Sequence, residues 1–327
     1  TTEIYTLSLH DALPISECSS ALTWFIMKKI KPEVYSYLEQ RGGVIPERNK
    51  RLYTVRLRIP GGEITPDQML GIGRAARRLG AQSVHLTTRQ TIEIPHLPIE
   101  DVPRLIKAVD KVGVTLGSEH EEVVNITACP GLDRCRLSNI ETGSLLSRLN
   151  KAHFGREMPM RVRIAVSACP NGCTSERLSE IGITGLREPI RDEGQCTGCG
   201  TCALTCKEKA IVMVNGRLTL DTNLCVQCGM CIDTCPFHII KGTMPHYMIT
   251  IGGRRGRHPM LGRELIRVDS EDEAVMVVER VVDWIYRYAY GGSVLTDQRE
   301  SMDFSSFKDR IEEEFSSKDS ETAMPGS

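Results

Sequence analysis

EVVNITACPGLDRC (residues 122–135) and RVRIAVSACPNGC (161–173) share one design. Each opens as a run of strand-forming residues and leads straight into a cysteine pair, Cys129 and Cys135 in the first and Cys169 and Cys173 in the second. Four cysteines on two loops can wrap a 4Fe–4S cube from two sides. In the second strand Arg161 and Arg163 share one face, while Val162, Ile164 and Val166 share the other. Cations therefore stand immediately before a cluster cysteine.

Eight further cysteines fall in two contiguous runs, CTGCGTCALTC (196–206) and CVQCGMCIDTCP (225–236), repeated at a separation of 29 residues. The spacing C-x2-C-x2-C-x3-C, twice over, resembles a bacterial two-cluster ferredoxin, in which the fourth cysteine of each run ligates the other cluster. One set is then Cys196, Cys199, Cys202 and Cys235, and the other is Cys225, Cys228, Cys231 and Cys206. Pro236 follows Cys235, whereas Lys207 follows Cys206. A zinc ribbon on C-x2-C pairs is the rival reading, and eight cysteines in two four-fold runs weigh against it. Cys18, the odd one of thirteen, has no assigned role.

The chain has 327 residues, 40% of them hydrophobic and 25% charged, as in ordinary globular proteins. A net charge of −1 argues against a general nucleic-acid binder. No apolar run approaches the roughly 20 residues of a membrane span. Tight C-x2-C pairs in a long chain indicate metal rather than disulfides, and hence a reducing compartment, the cytoplasm. Residues 1–26 read as a non-native or disordered leader. TTEIYTLSLHDALPIS lacks a basic start, Asp11 and Glu17 interrupt its apolar stretch, and Met27 is the expected first residue.

RLYTVRLRI (51–59) predicts a strand with Val55, Leu57 and Ile59 on one face and Arg56 and Arg58 on the other. After the turn PGG, Thr65 caps a helix that has Pro66 at its first position and Gly80 near its end. SVHLTT (83–88) and TIEIP (91–95) predict strands, and 98–113 a helix. The pattern is α+β. Helices are expected over 136–152, briefly after CPNGC, and over 271–292, the last with an apolar stripe of Val275, Val278, Val281, Val282 and Ile285. HYMITIGG predicts a strand and turn. GIGRAA (71–76) lies within a helix with no strand before it, so it is no dinucleotide site. His85, His96, His120 and His153 are scattered and read as structural.

The split cysteine set, CPNGC and GGRRGR (252–257) together resemble the sirohaem-containing sulfite and nitrite reductases over about residues 49–290. Within that family the likeness is to small ferredoxin-bearing sulfite reductases and the C subunit of anaerobic sulfite reductase. The resemblance implies an α+β fold: a ferredoxin-like half-domain (27–120), a sirohaem/4Fe–4S domain (121–190 and 247–292), an inserted two-cluster ferredoxin domain (191–246), and a mobile acidic tail (293–327). It implies sirohaem and three 4Fe–4S clusters, with Cys129, Cys135, Cys169 and Cys173 holding one and Cys173 bridging to sirohaem. Thr87, Thr88, Arg89 and Gln90, the amides of Gly252 and Gly253, and Arg254, Arg255 and Arg257 would meet the carboxylates of sirohaem. Arg58, Arg161 and Arg163 would hold the oxyanion. The latter two stand where long relatives carry lysine, and arginine clamps an anion better than it gives up a proton. An arginine expected before the first cysteine loop is absent, Val124 and Asn125 standing there. The implied activity is six-electron reduction of sulfite. Nitrite reduction to ammonium and a non-catalytic electron carrier are the alternatives. A ferredoxin, flavin or NAD(P)H-oxidising donor is implied, with self-association or a heteromer.

Overall fold

The computed structural model describes residues 42–191 and 196–316. The leader, Met27 and Cys18 lie outside them. The first half is an antiparallel sheet of β1 (Val44–Pro46), β2 (Leu52–Leu57), β3 (His85–Leu86) and β4 (Ile92–Pro98) in the order β1-β2-β4-β3. Helices α1 (Pro66–Arg78) and α2 (Val102–Asp110) pack on each other and on this sheet. Ile72 and Ala76 of α1 and Leu105 and Val109 of α2 share a core with Val55, Leu57 and Ile94. Thr65 and Gln68 form a reciprocal capping box at the start of α1. GIGRAA lies inside α1, as expected.

The second half begins with β5 (Thr127–Ala128), α3 (Gly143–His153), β6 (Ile164–Ser167) and β7 (Ile181–Leu186). The chain leaves through β8 (Pro189–Arg191) and forms α4 (Thr201–Thr205), the hairpin β9 (Ile211–Val214) and β10 (Arg217–Leu220), and α5 (Met230–Thr234). It re-enters through β11 (Ile240–Gly242), which pairs antiparallel with β8. That ribbon is the neck of a small cysteine cassette with its own core, including Ile211, Leu218, Ile232 and Ile240. Strands β12 (His246–Ile251) and β13 (Arg263–Val268) complete a five-stranded sheet, β13-β12-β7-β6-β5. Helix α6 (Glu271–Tyr288) packs across it.

The strands at both cysteine loops are shorter than their sequence runs. β6 is buried on both faces, so its residues do not alternate in exposure, and Arg161 and Arg163 lie just before it. Helix α6 stops at Ala289, whose extended backbone ends it before Gly291.

The described part of the tail expected to be mobile, residues 293–316, is ordered. Residues Leu295–Gln298 form α7 and Phe304–Ser316 form α8. Phe304, Phe307, Ile311 and Phe315 recur at helical spacing and are buried in the same core as α6. Trp284 stacks on Phe307 at 4.6 Å. Acidic composition concealed that stripe, and burial of each such side chain is worth about 1.5–3 kcal/mol. Among the described residues no helix is long and apolar enough to cross a membrane.

Candidate functional site

Strands β5 and β6 run parallel, with Thr127 opposite Ala165 and Ala128 opposite Val166. Parallel neighbours end at the same edge, so both cysteine loops leave the sheet side by side. The Cys129 amide donates to the carbonyl of Val166, and the Ala168 amide donates to Cys129 Sγ at 3.1 Å. Asn171 Nδ2 donates to Cys169 Sγ at 3.3 Å. Gly131 has φ +66°, and a side chain there would run into Thr142. Burial pushes the Cys129 thiol up, and the neighbouring Cys169 and Cys173 add to the rise. Cys169 is buried and Cys173 is exposed.

In the cassette, Cys206, Cys225, Cys228 and Cys231 line one cavity, and Cys196, Cys199, Cys202 and Cys235 line another. These are the two crossed sets read from the spacing. Each run turns at a left-handed glycine (Gly200, φ +77°; Gly229, φ +75°), makes one short helix, and ends on its fourth cysteine. Burial, with Cys228 and Cys225 close by, pushes the Cys231 thiol up to about 12. A bound metal would remove that proton. Among the described residues no three His, Cys, Asp or Glu groups are gathered tightly enough for a single ion, whereas in a cube each thiolate binds a different iron. Pro170 and Asn171, between Cys169 and Cys173, line the first cavity, so that cavity abuts the split set. The cassette is docked there: the Arg187 amide donates to the carbonyl of Gln227, and Asn139 Nδ2 reaches the carbonyl of Cys228.

A cluster of guanidinium groups gathers where Arg161 and Arg163 lead into β6, at the end of that strand away from Cys169. Glu119 is paired with Arg56, with Arg89 at 2.6 Å and with Arg161 at 3.2 Å. Arg56 is buried and also holds Glu93. Arg163 forms a two-pronged pair with Glu180 at 2.7 and 2.6 Å, which holds it above the ordinary arginine value. Burial first, then the crowding of Arg56, Arg161 and Arg163, pushes Arg89 down to about 10. A cleft of about 850 Å³ opens at Arg161 and Arg163, lined also by His120, Met158, Met160 and Glu180. Glu121, Glu122 and Glu157 also line the cleft, so its positive charge is confined to the two guanidinium groups rather than spread over its wall.

Sequence comparison matches residues 119–319 to the nitrite and sulphite reductase 4Fe-4S domain and residues 45–112 to the nitrite/sulfite reductase ferredoxin-like half domain. The chain belongs to the nitrite and sulphite reductase family. It is 31% identical over 248 residues to the coenzyme F420-dependent sulfite reductase of Methanocaldococcus jannaschii, covering 76% of this chain but only 40% of that protein. It is 27% identical over 254 residues to the C subunit of the anaerobic sulfite reductase of Salmonella typhimurium, covering 72% of this chain and 73% of that one. The crystal structure of dissimilatory sulfite reductase I has the same fold, with a TM-score of 0.67 at 17% identity over 92% of this chain and 82% of that chain. The relatives are oxidoreductases, and the family's domain carries sirohaem and a 4Fe–4S cluster.

The side chains present fit an anionic macrocycle in this reductase fold. Arg255 donates to the carbonyls of Thr174 and Ser175, yet its Nε is buried without an acceptor in the protein, and a carboxylate would supply one. Other expected contacts are arranged differently. The amides of Gly252 and Gly253, expected to face carboxylates, donate to the carbonyls of Glu180 and Ser179, because both glycines continue the sheet edge. Arg254 pairs with Asp297, and Arg257 is exposed. Thr87 Oγ1 is engaged with Thr91 and the Arg89 amide, while Thr88 is exposed. Gln90 exchanges two hydrogen bonds with Ala128, tying its loop to the first cysteine loop. Asn125, standing near the missing arginine, donates to the carbonyl of Arg89 at 2.8 Å. Arg58 lies 3.9 Å over the Phe154 ring and reaches Asn150. It is Arg56, two residues earlier, that shares Glu119 with Arg89 and Arg161. The sequence marked Arg56 only as a member of a cationic strand face, and its selection needed Glu119, which no motif announces.

Proposed function

We propose that this chain reduces sulfite to sulfide at a sirohaem bound beside the split cysteine set, with nitrite as the competing substrate. The observation that carries the reading is the juxtaposition of two cysteine loops at the ends of parallel strands with arginines from both halves of the molecule. Cys129, Cys135, Cys169 and Cys173 would hold the family's 4Fe–4S cluster, and the exposed Cys173 would be its link to sirohaem. Arg255 would meet a carboxylate of the macrocycle. When bound, sirohaem supplies the iron at which a small oxyanion gains electrons. The chain's own contribution is fixed positive charge: Arg161 and Arg163 line the cleft, hold the anion, and stabilise charge as oxygen leaves as water. As arginines they keep their protons, so they clamp rather than supply acid.

The cassette would hold two further 4Fe–4S clusters, the three cysteine sets standing in series. Cys196, Cys199, Cys202 and Cys235 are outermost, Cys206, Cys225, Cys228 and Cys231 intermediate, and the split set innermost, because Pro170 and Asn171 wall the intermediate cavity. An electron-donating protein, a cytoplasmic setting and an oligomeric assembly belong to the same proposal, the Salmonella relative being one component of a larger reductase.

The test is anaerobic purification with cofactor extraction, followed by assay with a reduced artificial donor. A chlorin absorption band with sulfide formed from sulfite is the expected result. Ammonium from nitrite alone would move the substrate assignment. Iron–sulfur absorbance with no macrocycle and no turnover would leave an electron carrier and overturn the proposal.

A further inference from the structure

Glu119 lies on the segment joining the two halves, between α2 and β5. One carboxylate there meets three guanidinium groups that come from far apart in the chain: Arg56 from β2, Arg89 from the loop after β3, and Arg161 from the approach to β6. Its other surroundings are defined. The Glu119 amide donates to Glu122 Oε1 at 3.0 Å, Arg56 also holds Glu93, and Arg163 is taken by Glu180. The Glu119 side chain is 19% exposed, and those of Arg89 and Arg161 are 30% and 41% exposed. The pairs are thus within reach of a ligand entering from solvent. A carboxylate ringed by three arginines has the form of a bound anion already in place.

We propose that Glu119 is a positioning residue that gathers Arg56, Arg89 and Arg161 into one anion-receiving fan and, by its own charge, tempers the affinity of that fan for oxyanions. This rests on the sulfite-or-nitrite reading for the identity of the substrate, but not for the anion chemistry. Without the carboxylate, the arginines keep their charge and lose the group that aims them. Unreactive oxyanions then bind more tightly and turnover falls.

The experiment compares wild type, Glu119→Gln and Glu119→Asp, each purified anaerobically with its cofactors. Sulfate is titrated by calorimetry, chlorin absorbance reports macrocycle content, and kcat and KM for sulfite are measured separately. Glu119→Gln should bind sulfate about fivefold more tightly, as expected for removal of one partly exposed pairing charge, with KM and kcat both lowered. Glu119→Asp keeps the charge on a shorter arm, so sulfate affinity should stay within about twofold of wild type while kcat falls. Unchanged sulfate affinity in Glu119→Gln overturns the proposal, as does a loss of macrocycle with sulfate binding unaltered, which would make the fan a cofactor clamp. Should Glu119→Gln not fold, an unaltered kcat in Glu119→Asp overturns it. A wild-type protein that reduces neither anion refutes the reductase reading and still leaves the sulfate arm to judge Glu119.

Discussion

The cassette and the split site use cysteine in opposite ways. In the cassette each run delivers its thiols within one short turn and helix, and Cys202, Cys231 and Cys235 are themselves part of the small core. In the split site the pairs are separated by 40 residues of sequence and are brought together by strands β5 and β6. The body beneath them has a large apolar core, including Val281, Ile285 and Trp284, that contains no cluster ligand among its fully packed residues. The cassette therefore has little apolar burial of its own to order it, whereas the body is folded by burial and presents its loops. A core of seven residues, three of them cysteine, is too small to stand unaided.

The comparison can be broken most sharply at Cys173. Cys173→Ser should lower sulfite turnover at least about a thousandfold, as for a group that acts with its neighbours as a unit. Both cassette clusters should persist, so iron per chain should fall by no more than about two fifths, the share of one cluster plus sirohaem. Turnover surviving the change would remove the bridging role. At Cys231, replacement by Ala should cost the intermediate cluster and loosen the cassette to protease, while the melting of the body stays in place. A body that unfolds together with the cassette would show that the two are one cooperative unit.

Trp284→Ala tests the other side. Losing its stack on Phe307 and its packing against Phe304 should destabilise the body by about 3–5 kcal/mol in denaturant titration, with cluster content unchanged under native conditions. A smaller, pH-dependent effect is expected at Glu93. Burial alone would raise its carboxyl, but hydrogen bonds from Arg56 and His85 prevail and hold it below the ordinary 4.5. A carboxylate lowered in the fold contributes stability that is complete above the unfolded value and is lost as pH falls through the folded one. Acid titration of wild type should therefore show a loss below about pH 4.5 that Glu93→Gln lacks. Identical acid profiles would mean that the Arg56–Glu93 pair adds nothing to the fold.

Legibility followed the range of the interaction. The crossed cysteine sets could be read because a cluster demands thiols at short, fixed intervals. The Thr65 cap and the body of α6 were local too. Trp284 of α6 was not in the expected stripe, and Val275, which was, is only partly buried. The tail misled because its acidic surface outweighs the stripe Phe304, Phe307, Ile311 and Phe315. GGRRGR suggested free amides at Gly252 and Gly253, since nothing local reveals that Ser179 and Glu180 claim them. The meeting of Arg56 with Arg89 and Arg161 was hidden for the same reason, as Arg56 and Arg58 alternate onto one strand face and only a carboxylate from a distant loop separates them.

By itself the sequence determined the chemistry this protein can carry, because ligand type and spacing are covalent properties of the chain. Folding in space alone brought Arg56, Arg89 and Arg161 to one carboxylate and set Pro170 and Asn171 against the cavity of Cys206, Cys225, Cys228 and Cys231. Those outcomes depend on parallel strand pairing and on charges that meet across dozens of residues, where Coulomb attraction and burial act through space and leave no periodicity in the chain.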